Sequence, residues 1–211
     1  MGCALADARL AFMMKYGRQS IKIDRVKAEE HRIRSISSSD SLIWLSAMAD
    51  RLPAAQFVLA TCYYNNIAVE NNDELAFSWC LRAANADLPV AQNLLGNMYV
   101  SGRGVDKDNT AALDWYSRAS RQNEPSAIFN LGTMYEQGAG VGRSISTAMG
   151  WFKRAAGLGS LNAHNMLGIY LENNAVLDPH SAQDCVEHYK VAAQMGHPHA
   201  QYNLARLHIF T

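Results

Sequence analysis

Small and apolar residues recur along most of the chain at a spacing that is typical of amphipathic helices. Counted from an alanine, they fall at offsets of 0, 4, 7 and 8 residues, as in Ala91, Leu95, Met98 and Tyr99. Residues at these offsets share one face of an α-helix. The pattern therefore predicts a helix, called helix A below, that buries this face.

The helix A pattern returns along the chain at an interval of 36 residues. The residues that share this interval are the alanines Ala55, Ala91, Ala127 and Ala163, the Leu-Gly pairs at 95–96, 131–132 and 167–168, the tryptophans Trp79, Trp115 and Trp151, and the prolines Pro53, Pro89 and Pro125. Several residue types with one period indicate an array of helical repeats.

A second helix, helix B, is predicted after each helix A from the pattern of Ala112, Trp115, Tyr116 and Ala119. Its expected N-caps, residues whose side chains bond to free backbone N–H groups, are Asp73, Asp108 and Ser144. The turn after helix B contains residue types that tolerate left-handed backbone: Asp87, Asn123, Gly159 and Gly196.

Glycines stand at two fixed places in the repeat. Gly102 and Gly138 follow helix A and predict left-handed C-caps. Gly96, Gly132 and Gly168 lie inside helix A, where a glycine costs about 1 kcal/mol relative to alanine. Because that cost recurs at one position of the repeat, we expect the next helix to approach closely there.

The repeat interval divides the chain into segments. Residues 1–52 are expected to form a degenerate first repeat that carries a basic and serine-rich insertion at about 18–38. Four repeats are predicted at 53–88, 89–124, 125–160 and 161–196, and residues 197–211 form a terminal half-repeat. The inner face of this last helix is expected to be open, which raises the prediction of a homodimer through the C-terminal helix.

Composition narrows the class of protein. Of 211 residues 49% are apolar, so the chain can bury a core, and 19 basic residues balance 19 acidic ones. This neutral balance favours neither nucleic acid nor an anionic membrane as a partner. No apolar run reaches the ~18 residues of a membrane helix, and the N-terminus lacks the basic region of a signal peptide. We therefore expect a cytoplasmic protein.

The segments Ala91–Ser120 and Ala127–Gly159 resemble the Sel1-like repeat, a relative of the tetratricopeptide repeat. The family pattern A…LG.MY..G.GV followed by A..WY.KAA..G is nearly complete in both segments. The resemblance covers about three quarters of the chain. It implies an all-α fold, a right-handed superhelical solenoid of helix-turn-helix repeats, and a role as an adaptor or scaffold in protein–protein interaction. It implies no catalytic residues.

If the fold is like the tetratricopeptide repeat, fixed offsets on helix A line a concave groove that can bind a peptide. The candidate residues are Asn93, Asn97, Ser101, Phe129, Thr133, Glu136, Gln137, Asn162, Asn165, Ile169, His199, Tyr202 and Arg206. Amide side chains can pair with both N–H and C=O groups of a peptide backbone, and aromatic side chains provide apolar anchors. The set lacks the cluster of basic residues that captures a carboxylate or a phosphate.

Other chemistry has less support in the sequence. His180, His188, His197, His199 and His208 lie near Cys185, but their spacing matches no zinc frame, so no metal or cofactor is expected. Cys62, Cys80 and Cys185 fall on apolar positions and are predicted to be buried free thiols. No nucleophile elbow, phosphate-binding glycine loop or paired carboxylates are present, so we predict that the protein is not an enzyme.

Two hypotheses for function remain. The first is a non-enzymatic adaptor or scaffold that binds a protein or peptide partner in the groove. The alternative is a membrane- or envelope-associated structural component, such as a bacterial motility or secretion scaffold. Seven basic residues at 15–34 could dock acidic lipid, and Gly2-Cys3 is similar to an acylation start, although Ala6 stands where that motif has Ser or Thr.

Overall fold

The computed structural model describes residues 45–67, 71–174 and 179–210, except the side chains of residues 174, 179–182 and 208–210. All regular structure in these ranges is helical. A helical turn at 45–49 precedes α1 (Pro53–Tyr64), α2 (Asp73–Asn85), α3 (Pro89–Ser101), α4 (Asn109–Arg121), α5 (Pro125–Gln137), α6 (Ile145–Gly157), α7 (Leu161–Asn174), α8 (Pro179–Gln194) and α9 (Pro198–Phe210). Helices α1, α3, α5, α7 and α9 are helices A. The predictions for residues 1–44, including Gly2-Cys3 and the basic insertion, lie outside the described residues.

The ends of the helices A follow from proline and glycine. Pro89 and Pro125 occupy the first turn of α3 and α5, where a missing N–H leaves no hydrogen bond unmade. Gly102 and Gly138 end the same helices with φ of +71° and +72°. Each C-cap N–H donates to the methionine carbonyl four residues earlier, at 2.8 Å. The predicted left-handed C-caps are confirmed.

Helix B begins at a side-chain cap in each described repeat from α2 to α6. Asp108 accepts hydrogen bonds from backbone N–H groups of α4, and Ser144 does so for α6, as predicted. The prediction of Asp73 was wrong, because Asn72 caps α2 by accepting from the N–H of Leu75 at 2.9 Å. Asp73 is the first residue inside the helix.

The turns between repeats adopt the predicted left-handed backbone. Asp87 and Asn123 have φ of +59° and +58°, and Gly159 and Gly196 have φ of +83° and +87°. Asparagine and aspartate tolerate this region better than other residues with a side chain. The turn chemistry of the repeat is therefore confirmed at all four positions.

The chain divides into two compact units, with the division between Lys107 and Asp108. In the first unit, α1 packs on α2 and α2 on α3. In the second unit, each helix from α4 to α9 packs on the next along the chain. One apolar core of the second unit joins α5, α6 and α7, and another joins α8 and α9, with Ile169 and Leu171 of α7 packed against it.

The mid-helix glycines lie where the following helix B approaches closely. A Cβ atom on Gly132 would lie 2.5 Å from Cε1 of Phe152, and one on Gly168 would lie 2.5 Å from Cε1 of Tyr189. Both rings are fully buried. The predicted close approach is confirmed in α5–α6 and in α7–α8.

The cysteines of the described chain are buried free thiols, as expected. Cys62, Cys80 and Cys185 all lie in the interior. Burial raises the pKa of the Cys80 thiol to about 12, and its Sγ–H donates to the carbonyl of Ala91 at 3.3 Å. Such thiols serve as small apolar side chains.

Candidate partner-binding face

The candidate residues of the first unit lie on α3. Asn93 and Asn97 are half-buried, and Ser101 is exposed in the last turn of the helix. The Ser101 hydroxyl donates to the carbonyls of Asn97 at 2.7 Å and Met98 at 3.3 Å. Its oxygen can still accept a hydrogen bond from a ligand, because a hydroxyl has two acceptor lone pairs.

On α5 the candidate residues differ in how far they are open to solvent. Phe129 packs against the core, with its ring centroid 5.4 Å from that of Phe152. Thr133 donates to the carbonyl of Phe129 at 3.3 Å. Glu136 is half-buried and accepts a hydrogen bond from the hydroxyl of Tyr170, whereas Gln137 is exposed.

On α7 the candidate residues are bonded to α9 or packed on the core. The Oδ1 of Asn162 lies 3.0 Å from Nε2 of His197. Asn165 is only 7% exposed, and its Oδ1 accepts from Nδ2 of Asn203 at 3.2 Å. Asn165 therefore differs from the open amide that the sequence predicted, since its position on the repeat did not reveal this partner. Ile169 packs on the core that α8 and α9 share.

On α9 the three candidate residues are Tyr202, His199 and Arg206. Tyr202 is 68% exposed, the largest value among the exposed large hydrophobic residues of the described chain. His199 is also exposed. The Arg206 guanidinium donates to both carboxylate oxygens of Glu172, at 2.5 and 2.7 Å.

Hydrogen bonds join successive helices A of the second unit at these positions. Tyr170 of α7 donates to Glu136 of α5, while Asn165 and Glu172 of α7 accept from α9. Burial, helped by the Glu136 carboxylate, raises the pKa of Tyr170 to about 12, so the phenol keeps its proton and stays a donor at neutral pH. Glu136, Asn165 and Arg206 are therefore each bonded to a side chain of a neighbouring helix A and held in place.

Glu172 was missed by the sequence interpretation, although it lies at the centre of this network. Besides Arg206 it accepts a hydrogen bond from the hydroxyl of the buried Tyr189 at 2.9 Å. Burial and this carboxylate raise the pKa of Tyr189. The sequence held the signal, because Glu172 lies 36 residues after the candidate residue Glu136.

A second feature that the sequence interpretation missed is a glutamine directly after the repeated alanine of helix A, such as Ala55 or Ala91. Nε2 of Gln56 donates to the carbonyl of Ala49 at 2.7 Å, and that of Gln92 donates to Ala84 at 3.2 Å. Gln201 makes the same bond to Ala193 at 3.1 Å. Carbonyls near the C-terminus of a helix lack partners within the helix. The recurrence of glutamine at one position of the repeat was the available signal.

Three histidines of the described chain, His164, His188 and His197, make hydrogen bonds within the fold. In the described part of the chain, no three side chains of the types that bind metals come together. His188 lies with Nδ1 2.9 Å from Nδ1 of His164, a residue absent from the sequence prediction. The side chains of His180 and His208 lie outside the described residues.

Membrane-spanning helices are also absent from the part of the chain that the structure describes: no helix there has the length and apolarity needed.

Solved structures provide a comparison for the whole arrangement. A Sel1 repeat protein from Oxalobacter formigenes has a TM-score of 0.71 and 27% sequence identity, over 98% of this chain and 66% of that one. A protective antigen with an SLR fold, c5321 of uropathogenic Escherichia coli strains, has a TM-score of 0.66 and 26% identity, over 98% of this chain and 41% of that one. This chain thus spans less than two thirds of the length of either protein.

A third structure is similar in fold alone. It is the immunity protein Pa5087 from Pseudomonas aeruginosa, with a TM-score of 0.58 and 18% identity, over 93% of this chain and 67% of that one. A search of curated proteins gave no match.

The repeats themselves match a known family model. The Sel1 repeat model matches residues 4–31, 53–88, 89–124, 125–160, 161–197 and 198–210. Proteins of this kind are all-helical solenoids that generally mediate protein–protein interactions and are typically non-catalytic scaffolds. Together with the helix pairs, caps and turns described above, these matches show that the chain belongs to the Sel1 repeat family.

Proposed function

We propose that this protein is a non-enzymatic adaptor that binds a protein or peptide partner through the second unit. The binding face, as we define it, consists of the candidate positions on α5, α7 and α9. The observation that carries the proposal is Tyr202, an aromatic side chain that is 68% exposed on this face. Exposed aromatic residues of this kind are typical anchors of protein interfaces.

The hydrogen bonds across the face favour binding because they fix its shape beforehand. Tyr170, Asn203 and Arg206 each donate to an acceptor on the neighbouring helix A. Side chains that are already ordered lose little conformational entropy when a partner binds. We therefore assign these residues a supporting role, in which they hold the face rigid.

The groups that remain open on the face determine the chemistry of the partner. Gln137 is exposed, and its amide offers both a donor and an acceptor to a peptide backbone. Asn162 is exposed and engages His197 through Oδ1, which leaves its amide N–H groups as donors toward a ligand. The charge of Arg206 is balanced by Glu172. These groups favour an uncharged stretch of polypeptide with an apolar residue for Tyr202, rather than a phosphate or a free carboxylate.

The test is a binding measurement with variants of two open residues. The native partner is first identified by affinity capture, and its dissociation constant is then measured with the purified chain. We expect Tyr202→Ala to weaken binding by about 30-fold, which corresponds to the ~2 kcal/mol of a typical hot spot. Gln137→Ala is expected to weaken it by less, since one hydrogen bond contributes about 1 kcal/mol.

The matched control is Leu158→Ala. Leu158 is also an exposed large hydrophobic residue of the second unit, at 42%, but it caps the end of α6 and lies outside the candidate positions. It should leave both the dissociation constant and the melting temperature unchanged. Full binding by Tyr202→Ala, or equal losses in the two variants, would show that the partner binds elsewhere.

The hypothesis of a membrane- or envelope-associated component depends on the basic stretch at 15–34 and on Gly2-Cys3, all of them outside the described residues. Asn93, Asn97 and Ser101 belong to the first unit and form a separate candidate surface on α3. Alanine variants of these three residues, measured with the same partner, distinguish that surface from the face on α5, α7 and α9.

A further inference from the structure

The repeat at 161–196 differs from the preceding repeat at two positions that meet in space. In the preceding repeat, Ile128 follows the first alanine of helix A, and Trp151 of helix B has the guanidinium of Arg154 5.6 Å from its ring centroid. The corresponding residues here are His164 on α7 and His188 on α8. The two rings are half-buried, with centroids 5.1 Å apart and Nδ1 atoms 2.9 Å apart.

This imidazole pair is intact only while at least one of its rings is neutral. A hydrogen bond between two Nδ1 atoms needs one of them to donate and the other to accept, and an imidazolium cannot accept. The pair can take up one proton and keep its bond. A second proton would put two N–H groups and two positive charges against each other.

His197 forms a second arrangement that requires a neutral ring, at the start of α9. The N–H of Ala200 donates to Nδ1 at 3.1 Å, so Nδ1 carries no proton. The proton is then on Nε2, which donates to Oδ1 of Asn162 at 3.0 Å. His197 is therefore both the N-cap of α9 and its link to α7. Protonation of Nδ1 would remove the cap.

Charged neighbours also change the pKa values of these rings, but all three pKa values stay below that of an ordinary histidine. Burial is the largest cause and lowers the pKa of His188. The partner ring lowers it further, Asp184 and Glu187 of α8 raise it, and Lys153 of α6 lowers it. Burial also lowers the pKa of His164, against a hydrogen bond to the backbone of Ala156 on α6. Burial lowers the pKa of His197, and His199 of α9 lowers it further. Arg206 of α9 is paired with Glu172.

We infer that α7, α8 and α9 form an acid-sensitive segment of the array, which opens as protons bind to the His164–His188 pair and to His197 while α5 and α6 stay folded. The direction follows from linkage. An ordinary histidine has a pKa of about 6.5 in an unfolded chain, and these three have lower values when folded. Their contribution to stability is present above pH ~6.5 and is lost as the pH falls through the folded pKa values. The inference does not depend on which partner the protein binds.

Hydrogen exchange of the full chain at pH 7.5 and pH 5.5 tests this inference. The readout is the opening constant of amides at 161–207 divided by that of amides at 125–157, so that the pH dependence of intrinsic exchange cancels. Between the pKa values of the open and the folded states, each proton taken up on opening raises the opening constant by up to about tenfold per pH unit. We expect the ratio to rise on acidification, by at most about tenfold for each histidine that takes up a proton.

Other repeats of the chain show which uncharged residues can replace these histidines and keep their hydrogen bonds. His164→Gln introduces the residue that bonds the preceding helix in other repeats, as Gln92 does. His197→Ser introduces the cap that precedes α7, where Ser160 accepts from the N–H of Ala163 at 3.4 Å. The double variant is expected to show a smaller rise of the ratio between pH 7.5 and pH 5.5 than the wild type, since only His188 of the three rings remains. His197→Ser alone, if the double variant does not fold, should reduce the rise.

Two results would overturn the inference. One is a ratio in the wild-type chain that does not change between the two pH values, because the three histidines would then not open α7–α9. The other is an unchanged acid response in the variants, because the protons would then bind elsewhere. The ratio also stays unchanged if acid opens residues 125–157 and 161–207 to the same extent, and this outcome too would contradict the inference.

Discussion

Two helix pairs of this protein fill the same packing position in opposite ways. In α5–α6 of the second unit, Gly132 on helix A lies against the ring of Phe152 on helix B. In α1–α2 of the first unit, 72 residues earlier, the corresponding residues are Ala60 and Cys80. All four residues are buried. A glycine thus accompanies a large ring, and an alanine accompanies a small side chain.

The difference shows that the mid-helix glycine is one half of a complementary pair. Gly168 and Tyr189 repeat the arrangement of Gly132 and Phe152 in α7–α8. Protein interiors are close-packed, so volume removed from one helix must be filled from its neighbour. The cost of a glycine inside a helix is offset by the ring that it admits. Where the ring is missing, as at Cys80, the chain has an alanine, which favours the helix.

The largest effect is expected when the ring is removed. Phe152→Ala removes a fully buried ring and leaves a cavity against Gly132, which has no side chain of its own, and should destabilise the protein by about 3–5 kcal/mol. Cys80→Ala, the matched variant, removes only one sulfur atom and should cost about 1 kcal/mol. Urea unfolding with a fixed m-value measures both.

Similar costs for Phe152→Ala and Cys80→Ala would contradict this comparison. They would mean that α5–α6 closes around the missing ring, so that its packing does not depend on the pair of Gly132 and Phe152.

A smaller effect is expected when the glycine is changed. The Cβ atom of Gly132→Ala would lie 2.5 Å from the Phe152 ring, which is fully buried, so the two helices must shift to admit it. Such overpacking costs about 1–3 kcal/mol, and the gain in helix propensity of up to about 1 kcal/mol offsets only part of it.

Gly150 of α6 provides the control for this prediction. It also lies within a helix, but it is exposed, and nothing lies within 4 Å of a Cβ placed on it. Gly150→Ala should therefore stabilise the protein by about 0.5–1 kcal/mol. The two variants are expected to shift the melting temperature in opposite directions. A shift in the same direction would show that helix propensity, and not the ring, determines the effect at Gly132.

The fold could be predicted from the sequence because each capping, turn and packing residue recurs at the same position in several repeats. Gly102 and Gly138, for example, stand at one position of the repeat, and a left-handed cap needs only a glycine there. The cap of α2 shows the limit of this reasoning. Asn72 lies 36 residues before Asp108, so the repeat itself points to Asn72, but the acidic neighbour Asp73 also suits a cap by residue type. In the structure, the extended backbone of Asn72 and its bond from the N–H of Leu75 identify it as the cap.

The candidate site was less predictable, because a repeat position does not reveal which side chains meet between repeats. The offsets selected Glu136, Asn165 and Arg206 as groups open to a ligand. The structure shows all three bonded to the next or the preceding helix A. Such bonds depend on the distance between successive helices and on side-chain length, and neither follows from the period of the pattern. Tyr202 is 68% exposed, and its role in binding stays a prediction.

The smallest net change is expected from transplanting the complementary pair into the first unit. Cys80→Phe alone should destabilise the protein, since by analogy with Phe152 its ring would meet the Cβ of Ala60, and the weak bond from Cys80 to Ala91 would be lost. Ala60→Gly alone should cost about 1 kcal/mol through helix propensity. The double variant combines the small and large residues as α5–α6 does, so its stability should lie near that of the wild type.

The quantity that decides this prediction is the coupling energy of the double-mutant cycle. Residues in contact commonly show coupling of 0.5–3 kcal/mol, so we expect about 1 kcal/mol here, with the sign of a rescue. Thermal unfolding of the wild type, the two single variants and the double variant supplies all four corners of the cycle. Additive effects would mean that α1 and α2 do not meet at Ala60 and Cys80 as α5 and α6 meet at Gly132 and Phe152, because a shared contact is what makes two substitutions depend on each other.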